Sequence, residues 1–427
     1  MNQVLFLTHG VADKQGGGGQ QRIAMVERAL ASTVSKYAKL TVNFPSAFAP
    51  YRDRPEVGYL LRGKVEVAGE PSPYVWWLHD YILGIKAASS DEICNSVSAF
   101  LRVSETVILD HLWLWPLLRR CMLEMGWSGR VIYSSHNAEA LARDRWFDEN
   151  GSKDTHVIQT LASIRRYELS LTSSADTVIC CSSDDARWYV THGARDVRVV
   201  PNGAWSSSED SPPETSSATA IYAASGWFPN VEGFARLVVP CLEASQEIIT
   251  LVVTGGVADL VRPLVEDSRR RWQVPHHVEL KGHMDWPDFS QVYRSSGLVL
   301  NPVVTGTGTN IKTAEALVDG KPLLTTSLGA RGFDRWAETA QNWFLRDTVT
   351  GWLEVLTDET TWKPARGMSE LTWDAVQRQM EMELQNALQS KPLRRSESRY
   401  RDSTGAAAKS GHVNATAAGV DLYSTRG

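Results

Sequence analysis

Short apolar runs alternate with helical stretches twice along this chain, and a segment of different character separates the two rounds. The first round comprises "VLFLTHG" (4–10), "AKLTVNF" (38–44), "ETVILDH" (105–111), "RVIYSSH" (130–136), "DTVICCS" (176–182) and "DVRVVPNG" (196–203). Helical patterns such as 20–32 and 156–173 fit between these runs. Strand–helix alternation of this kind predicts a parallel sheet wound with helices on both faces. The stretch "AWSSSEDSPPETSSATA" (204–220) then breaks the pattern with serine, proline and acid, which is linker chemistry. The alternation restarts with "AIYAASG" (220–226), "IITLVVTGG" (248–256), "VELKGH" (278–283), "GLVLNPV" (297–303) and "KPLLTTS" (321–327).

The expected architecture is therefore α/β, with two doubly wound, Rossmann-like domains. The first covers 1–205, a linker 206–219, the second domain 220–370, a helix 371–390 and a polar tail without fixed structure 391–427. A length of 427 residues fits more than one domain. Two such halves on a linker enclose a cleft, and ligands of parallel sheets sit outside the carboxyl ends of the strands.

Composition narrows the function classes. A formal net charge of -5 argues against a general nucleic-acid binder, which is normally basic. The five cysteines show no metal-ligand spacing, and Cys180 and Cys181 lie together inside an apolar run, as small core residues do. A sparse, odd set of thiols fits a reducing cytoplasm. The start "MNQVLFLTHG" lacks the basic region and long apolar stretch of a signal peptide and reads as a first strand. No apolar run approaches the roughly 20 residues a membrane span needs. The tail carries Lys391, Arg394, Arg395, Arg399, Arg401, Lys409 and Arg426 against Glu397, Asp402 and Asp421. It reads as a solvated segment whose charge allows peripheral contact with anionic lipid at the inner face of a membrane.

One stretch points to chemistry. "TGTGTNIKTAEAL" (305–317) sets a glycine-bearing loop against a helix start and follows it with Glu315. The first turn of a helix offers free N–H groups and the positive end of its dipole, and glycine lets an anion approach the backbone closely. Alone, the loop reads equally well as a ligand-free strand-to-helix turn.

The ordered series "GGGGQQR", "SSHNAEA", "ADTVICCSSDDARWY", "VRVVPNGAW", "SGWFPNVEGF" and "GTGTNIKTAEALVDGKPLLTTSLGARGF" resembles glycosyltransferase family 4, of the two-domain GT-B fold, as found in bacterial surface-polysaccharide synthesis. The resemblance runs from about residue 4 to about residue 350. It implies a transferase that takes a sugar from a nucleoside-diphosphate donor, with retention and without metal, to a glycan or lipid-linked acceptor. The donor would bind the second domain and the acceptor the first. The absence of any Asp-x-Asp, the usual carboxylate pair for a metal-held sugar diphosphate, agrees with the metal-independent part.

Residue by residue, the resemblance puts Glu315 on the ribose hydroxyls, where a carboxylate accepts two neighbouring O–H donors. It puts Thr307 in the slot of a glutamate that contacts the donor sugar, the backbone of Gly308 and Thr309 toward that sugar, and Asn310 and Ile311 toward the diphosphate. Gly282, His283 and Met284 fall where relatives read the base. Gly18 and Gly19 fall in the loop that approaches donor phosphate and acceptor. His111, beside Asp110, fits a strand-end histidine that supports charge developing on the sugar, and His136 and Asn137 end the next strand on the acceptor side. Relatives carry an arginine and a lysine after the first strand of the donor domain, where this chain has Trp227 and Glu232. Neutralising the departing diphosphate then falls to Lys312, with Arg331 of "GARGF" the second choice. Those departures leave room for a second class, a GT-B pseudoenzyme or sugar-nucleotide-binding scaffold. A nicotinamide dehydrogenase shares the doubly wound fold, but no G-x-G-x-x-G follows the first strand.

Overall fold

The computed structural model describes residues 3–9, 12–13, 17–42, 74–150, 155–206, 218–306, 308–337 and 342–390. Two all-parallel sheets form. The first is built from β1 (Gln3–Thr8), β2 (Tyr37–Thr41), β3 (Ser104–Asp110), β4 (Arg130–Ser134), β5 (Thr177–Cys180) and β6 (Val197–Val199), in the order β2-β1-β3-β4-β5-β6. The second contains β7 (Thr219–Ala223), β8 (Thr250–Thr254), β9 (His277–Gly282), β10 (Leu298–Asn301), β11 (Leu323–Thr325) and β12 (Trp343–Leu345), in the order β12-β11-β10-β7-β8-β9. Every strand expected from the sequence is present. β12 was not expected: at three residues it is too short to stand out as a run. Among the described residues the apolar runs also overshoot the strands, so that His111 and His136 lie in the loops after β3 and β4.

The helices used below are α1 (Gly18–Thr33), α2 (Glu139–Asn150), α3 (Thr155–Ser174), α4 (Ser183–Thr191), α5 (Phe228–Gly233), α6 (Val257–Ser268), α7 (Trp286–Ser295), α8 (Ile311–Val318) and α9 (Trp373–Gln389). Strand order reverses between β1 and β3 in one sheet and between β7 and β10 in the other, which opens a crevice at each carboxyl edge.

Successive residues of β1 and β3 alternate between two buried layers, as a two-residue period dictates. Leu5, Leu7, Val107 and Leu109 enter one. Val4, Phe6 and Ile108 enter the other, where Ile23, Met25 and Val26 of α1 cover them. That second layer is completed from the far end of the chain: Trp373, Val376, Met380, Leu384 and Ala387 of α9 lie in it. Their spacing of three or four residues forms one apolar stripe. The helix expected as a separate terminal element is thus a layer of the first domain. Polar contacts fix it there: Trp373 Nε1 donates to Gln21 Oε1 at 2.8 Å, and Arg198 Nη1 lies 2.8 Å from Glu383 Oε2. Of the linker expected over 206–219, residues 207–217 lie outside the described residues, as does the tail expected after 390. Among the described residues, no helix is long and apolar enough to cross a membrane.

Candidate active site

At the first switch point β3 ends on Asp110, which is fully buried. Its Oδ1 lies 3.0 Å from His136 Nε2, and its Oδ2 accepts from the Thr8 hydroxyl at 3.1 Å. His111 follows with φ 82, the only non-glycine residue at positive φ among the described residues. A bulky side chain in that region is strained, and such strain gathers at functional positions. The twist turns the ring back onto the site: His111 stacks on His136 at 3.9 Å, and its Nε2 lies 3.7 Å from Asp110 Oδ2. Burial works to raise the Asp110 pKa, but His136, His111 and Thr8 together hold it well below the usual carboxylate range. Burial and the neighbouring His136 push His111 down to about 3, so its imidazole is neutral at physiological pH.

Ligating atoms of Asp110, His111 and His136 lie within 4.8 Å of one another, the composition of a cation site. Sequence spacing did not reveal this group, since the ends of two strands, β3 and β4, and the loops after them build it. Its geometry suits a chelate poorly: the two rings are stacked with planes only 25° apart, so their lone pairs run side by side instead of meeting at one point. The arrangement is that of a buried anion holding one imidazole, with a second stacked over it.

The loop carrying His136 and Asn137 is fixed from behind. Glu168 of α3, fully buried, accepts from the N–H groups of Glu139 and Ala140 at 3.0 and 2.6 Å. The Tyr189 hydroxyl of α4 lies 2.9 Å from Glu168 and 2.7 Å from Ser135 Oγ. Burial pushes the Glu168 carboxyl up to about 8, against the pull of these donors.

The glycine loop of the second domain comes to this loop across the cleft. Gly308, at φ 75, is so close that an added Cβ would lie 2.0 Å from Asn137 Oδ1 and 2.9 Å from the His136 carbonyl. Gly18, at the start of α1, approaches Ile311 of α8 in the same way, with an added Cβ 2.8 Å from its Cδ1. Gly19 faces His136. Arg331 is buried, and its Nε and Nη1 donate to the carbonyls of Gly308 and Gly306, both at 2.8 Å. It therefore holds the loop in shape, a different task from the diphosphate charge suggested by sequence. Thr309 leaves a buried hydroxyl without a hydrogen-bond partner. Thr307 lies outside the described residues.

Asn310 enters α8 in extended conformation, and its side chain makes no cap hydrogen bond to the first turn. Lys312, in that turn, reaches across to α5 and donates to Asn230 Oδ1 at 2.9 Å. Asn230 in turn donates to the Ser225 carbonyl at 3.1 Å. Lys312 thus delivers its ammonium to the helix after the first strand of the second domain, where the family resemblance expects an arginine and a lysine. Glu232 is occupied by Arg236 and by the Thr305 hydroxyl, each at 3.1 Å. Burial pushes Lys312 down to about 8, against the pull of Glu315. Burial likewise lifts Glu315 to about 7, with Lys312 opposing and Asp319 adding to the rise.

A cavity of about 800 Å³ opens between the domains, and Glu315, His283 and Met284 line it. Gly17 and Gln21 of the first domain form its opposite wall. Gly282 does not line it: its carbonyl accepts from Gly255 N and the Thr254 hydroxyl, tying β9 to β8. The expected residues therefore fall into two neighbouring groups, the Asp110–His111–His136 set with the glycine loop, and the cavity beside Glu315. Sequence reasoning missed Asn230, Glu168, Tyr293 and Asp319. Only Asp319 carried a signal, its position one helical turn beyond Glu315.

No family model matches the chain, and no curated protein does. Solved structures are similar in fold. Sucrose-phosphate synthase from Thermosynechococcus elongatus superposes with a TM-score of 0.59 at 13% identity, covering 91% of this chain and 99% of that one. Anabaena HepE in complex with UDP and glucose gives 0.58 at 14% identity, covering 90% and 100%. TarM gives 0.53 at 10%, covering 91% and 97%. The shared architecture is GT-B, two Rossmann-like domains facing across a cleft.

Proposed function

We propose that this chain is a glycosyltransferase that moves a sugar from a nucleoside-diphosphate donor to a hydroxyl of a glycan or lipid-linked acceptor, with retention, in cell-envelope or exported polysaccharide synthesis. The observation that carries this reading is the close approach, across the cleft, of Gly308 and the start of α8 to the His136–Asn137 loop and Gly18, beside the cavity that Glu315 lines. Structural likeness to UDP-bound HepE supports it at the level of fold.

In this reading the diphosphate lies at the start of α8, where the Gly308–Ile311 backbone and Lys312 meet it. Glu315 accepts from the ribose hydroxyls. No protein nucleophile is used: the sugar–phosphate bond breaks, the leaving oxygen takes the acceptor proton, and the new bond forms on the same face. The neutral His111 over the Asp110 anion steadies the positive charge that develops on the sugar. His136 and Asn137 border the acceptor side, and domain closure excludes water. No step uses a metal.

The test is release of nucleoside diphosphate from a panel of nucleotide sugars in excess chelator. Slow donor hydrolysis supports the transferase. Binding without any release, even with added acceptors, would make the protein a sugar-nucleotide scaffold, and a strict manganese requirement would overturn the metal-free reading.

Two substitutions probe its parts. Glu315→Ala should weaken donor binding by about 1.5–3 kcal/mol, the scale of hydrogen bonds to a charged group. Unchanged affinity by calorimetry in the folded variant would remove Glu315 from the ribose. His111→Ala should lower turnover far more than donor affinity, because its contribution grows only as charge develops. Wild-type turnover would take His111 out of the chemistry.

A further inference from the structure

We propose that the inner end of this cavity selects a guanine base, through Asp319 and the hydroxyl of Tyr293. The inference rests on reading the cleft as a nucleotide site and adds which nucleotide it takes.

Helix α8 acts as a ruler. Its start is the diphosphate end, Glu315 stands one turn in, and Asp319 lies four residues further, about 6 Å along the axis. A nucleoside diphosphate extends in the same order, phosphate, ribose, base. Asp319 and Tyr293 both line the cavity, and both are buried. Asp319 Oδ1 accepts from the Ser206 hydroxyl at 2.9 Å, and a carboxylate has about four acceptor sites to offer.

Tyr293, from α7, is 3% exposed, and its hydroxyl has no hydrogen-bond partner. An unpartnered buried hydroxyl is costly unless a ligand completes it. Burial, with Asp319 and Glu315 adding to it, drives this phenol well above its ordinary range, so it keeps its proton and stands as a donor. Among the described residues lining the cavity, Glu315, Asp319 and Asp285 are carboxylates and none is lysine or arginine. This wall is rich in carboxylates, and the Tyr293 hydroxyl is a buried donor in it without a partner.

Guanine presents the complement. Its N1–H and N2 amine lie side by side, a fork that a carboxylate accepts at both oxygens, and its O6 beside them accepts from a hydroxyl. Uracil offers one N–H flanked by two carbonyl oxygens, which would face the carboxylate. Adenine places a lone pair at N1, where the carboxylate needs a donor.

Calorimetry on the full chain with GDP, IDP, ADP and UDP tests this. GDP should bind on the order of tenfold more tightly than UDP, the discrimination one bidentate pair supplies. IDP, which lacks the N2 amine, should bind more weakly than GDP, and Asp319→Asn should erase that difference. Tyr293→Phe, which breaks no hydrogen bond of the ligand-free protein, should weaken GDP and leave UDP unchanged; it serves where Asp319→Asn does not fold. UDP or ADP binding as tightly as GDP would overturn the base assignment and leave the nucleotide reading standing, as would a GDP-to-IDP ratio untouched by a folded Asp319→Asn. Failure of all four to bind would overturn the nucleotide reading and the inference with it.

Discussion

Lys312→Met is expected to depress turnover by on the order of 100-fold, the scale lost with one preorganised transition-state donor. A helix start supplies only about half an elementary charge, too little for a departing diphosphate. Where the family resemblance expects an arginine and a lysine, this chain has Trp227 and Glu232, and Glu232 is bound to Arg236 and Thr305. Arg236 is paired with that acid, whereas the Lys312 ammonium reaches the same helix at a neutral partner, Asn230. Methionine keeps the stem and removes the charge; Lys312→Arg should recover part of the rate. The pH profile provides a second readout. Lys312 is cationic below about 8, and Glu315 is anionic above about 7. The specificity constant kcat/KM for the donor should therefore rise through pH 7 and fall beyond pH 8, and Lys312→Arg should remove the alkaline fall. Near-normal turnover in folded Lys312→Met would place the compensating cation elsewhere.

Gly308→Ala should abolish most activity, again by about 100-fold, while the protein stays folded. A left-handed backbone costs a non-glycine residue about 1–2 kcal/mol. The larger effect is positional, because the new Cβ would sit 2.0 Å from Asn137 Oδ1. Either loop must retreat, and a displacement of about 1 Å at reacting groups costs about 100-fold in rate. Gly306→Ala is the control: Gly306 also has positive φ, 114, but nothing lies within 4 Å of its added Cβ. Equal losses in the two variants would mean that the contact across the cleft plays no part. Asn137→Ala combined with Gly308→Ala should restore activity in part, since it removes the nearest obstructing atom.

The strands were legible because parallel strands, covered on both faces, appear as unbroken apolar runs. Their ends were less so. The runs ending in His111 and His136 overshoot β3 and β4, since sequence does not show where hydrogen bonding to the neighbour stops. The apolar stripe of α9 announces that one face is buried but not against which domain, and the answer depends on a contact between residues 21 and 373. The place of Glu315 on the helix after the glycine loop was readable from its spacing to that loop, and it lines the cavity. Glu168 was not, because an acid in a helix reads as solvated until folding brings the start of α2 onto it. Arg331 shows the complementary limit: its charge was visible, but its use on the Gly306 and Gly308 carbonyls belongs to the folded loop.

The position of α9 has a consequence for how the chain is made. Ribosomal synthesis delivers the first sheet long before Trp373 to Gln389 emerges, and at usual elongation rates the interval is about 10–40 s. Throughout it, the face formed by Val4, Phe6, Ile108 and Ile132 lacks part of its cover. The nascent first half is therefore a species that needs protection from its neighbours, and its maturation waits for the second half to be translated. A stop codon before residue 373 would harm a domain whose own strands had all been made.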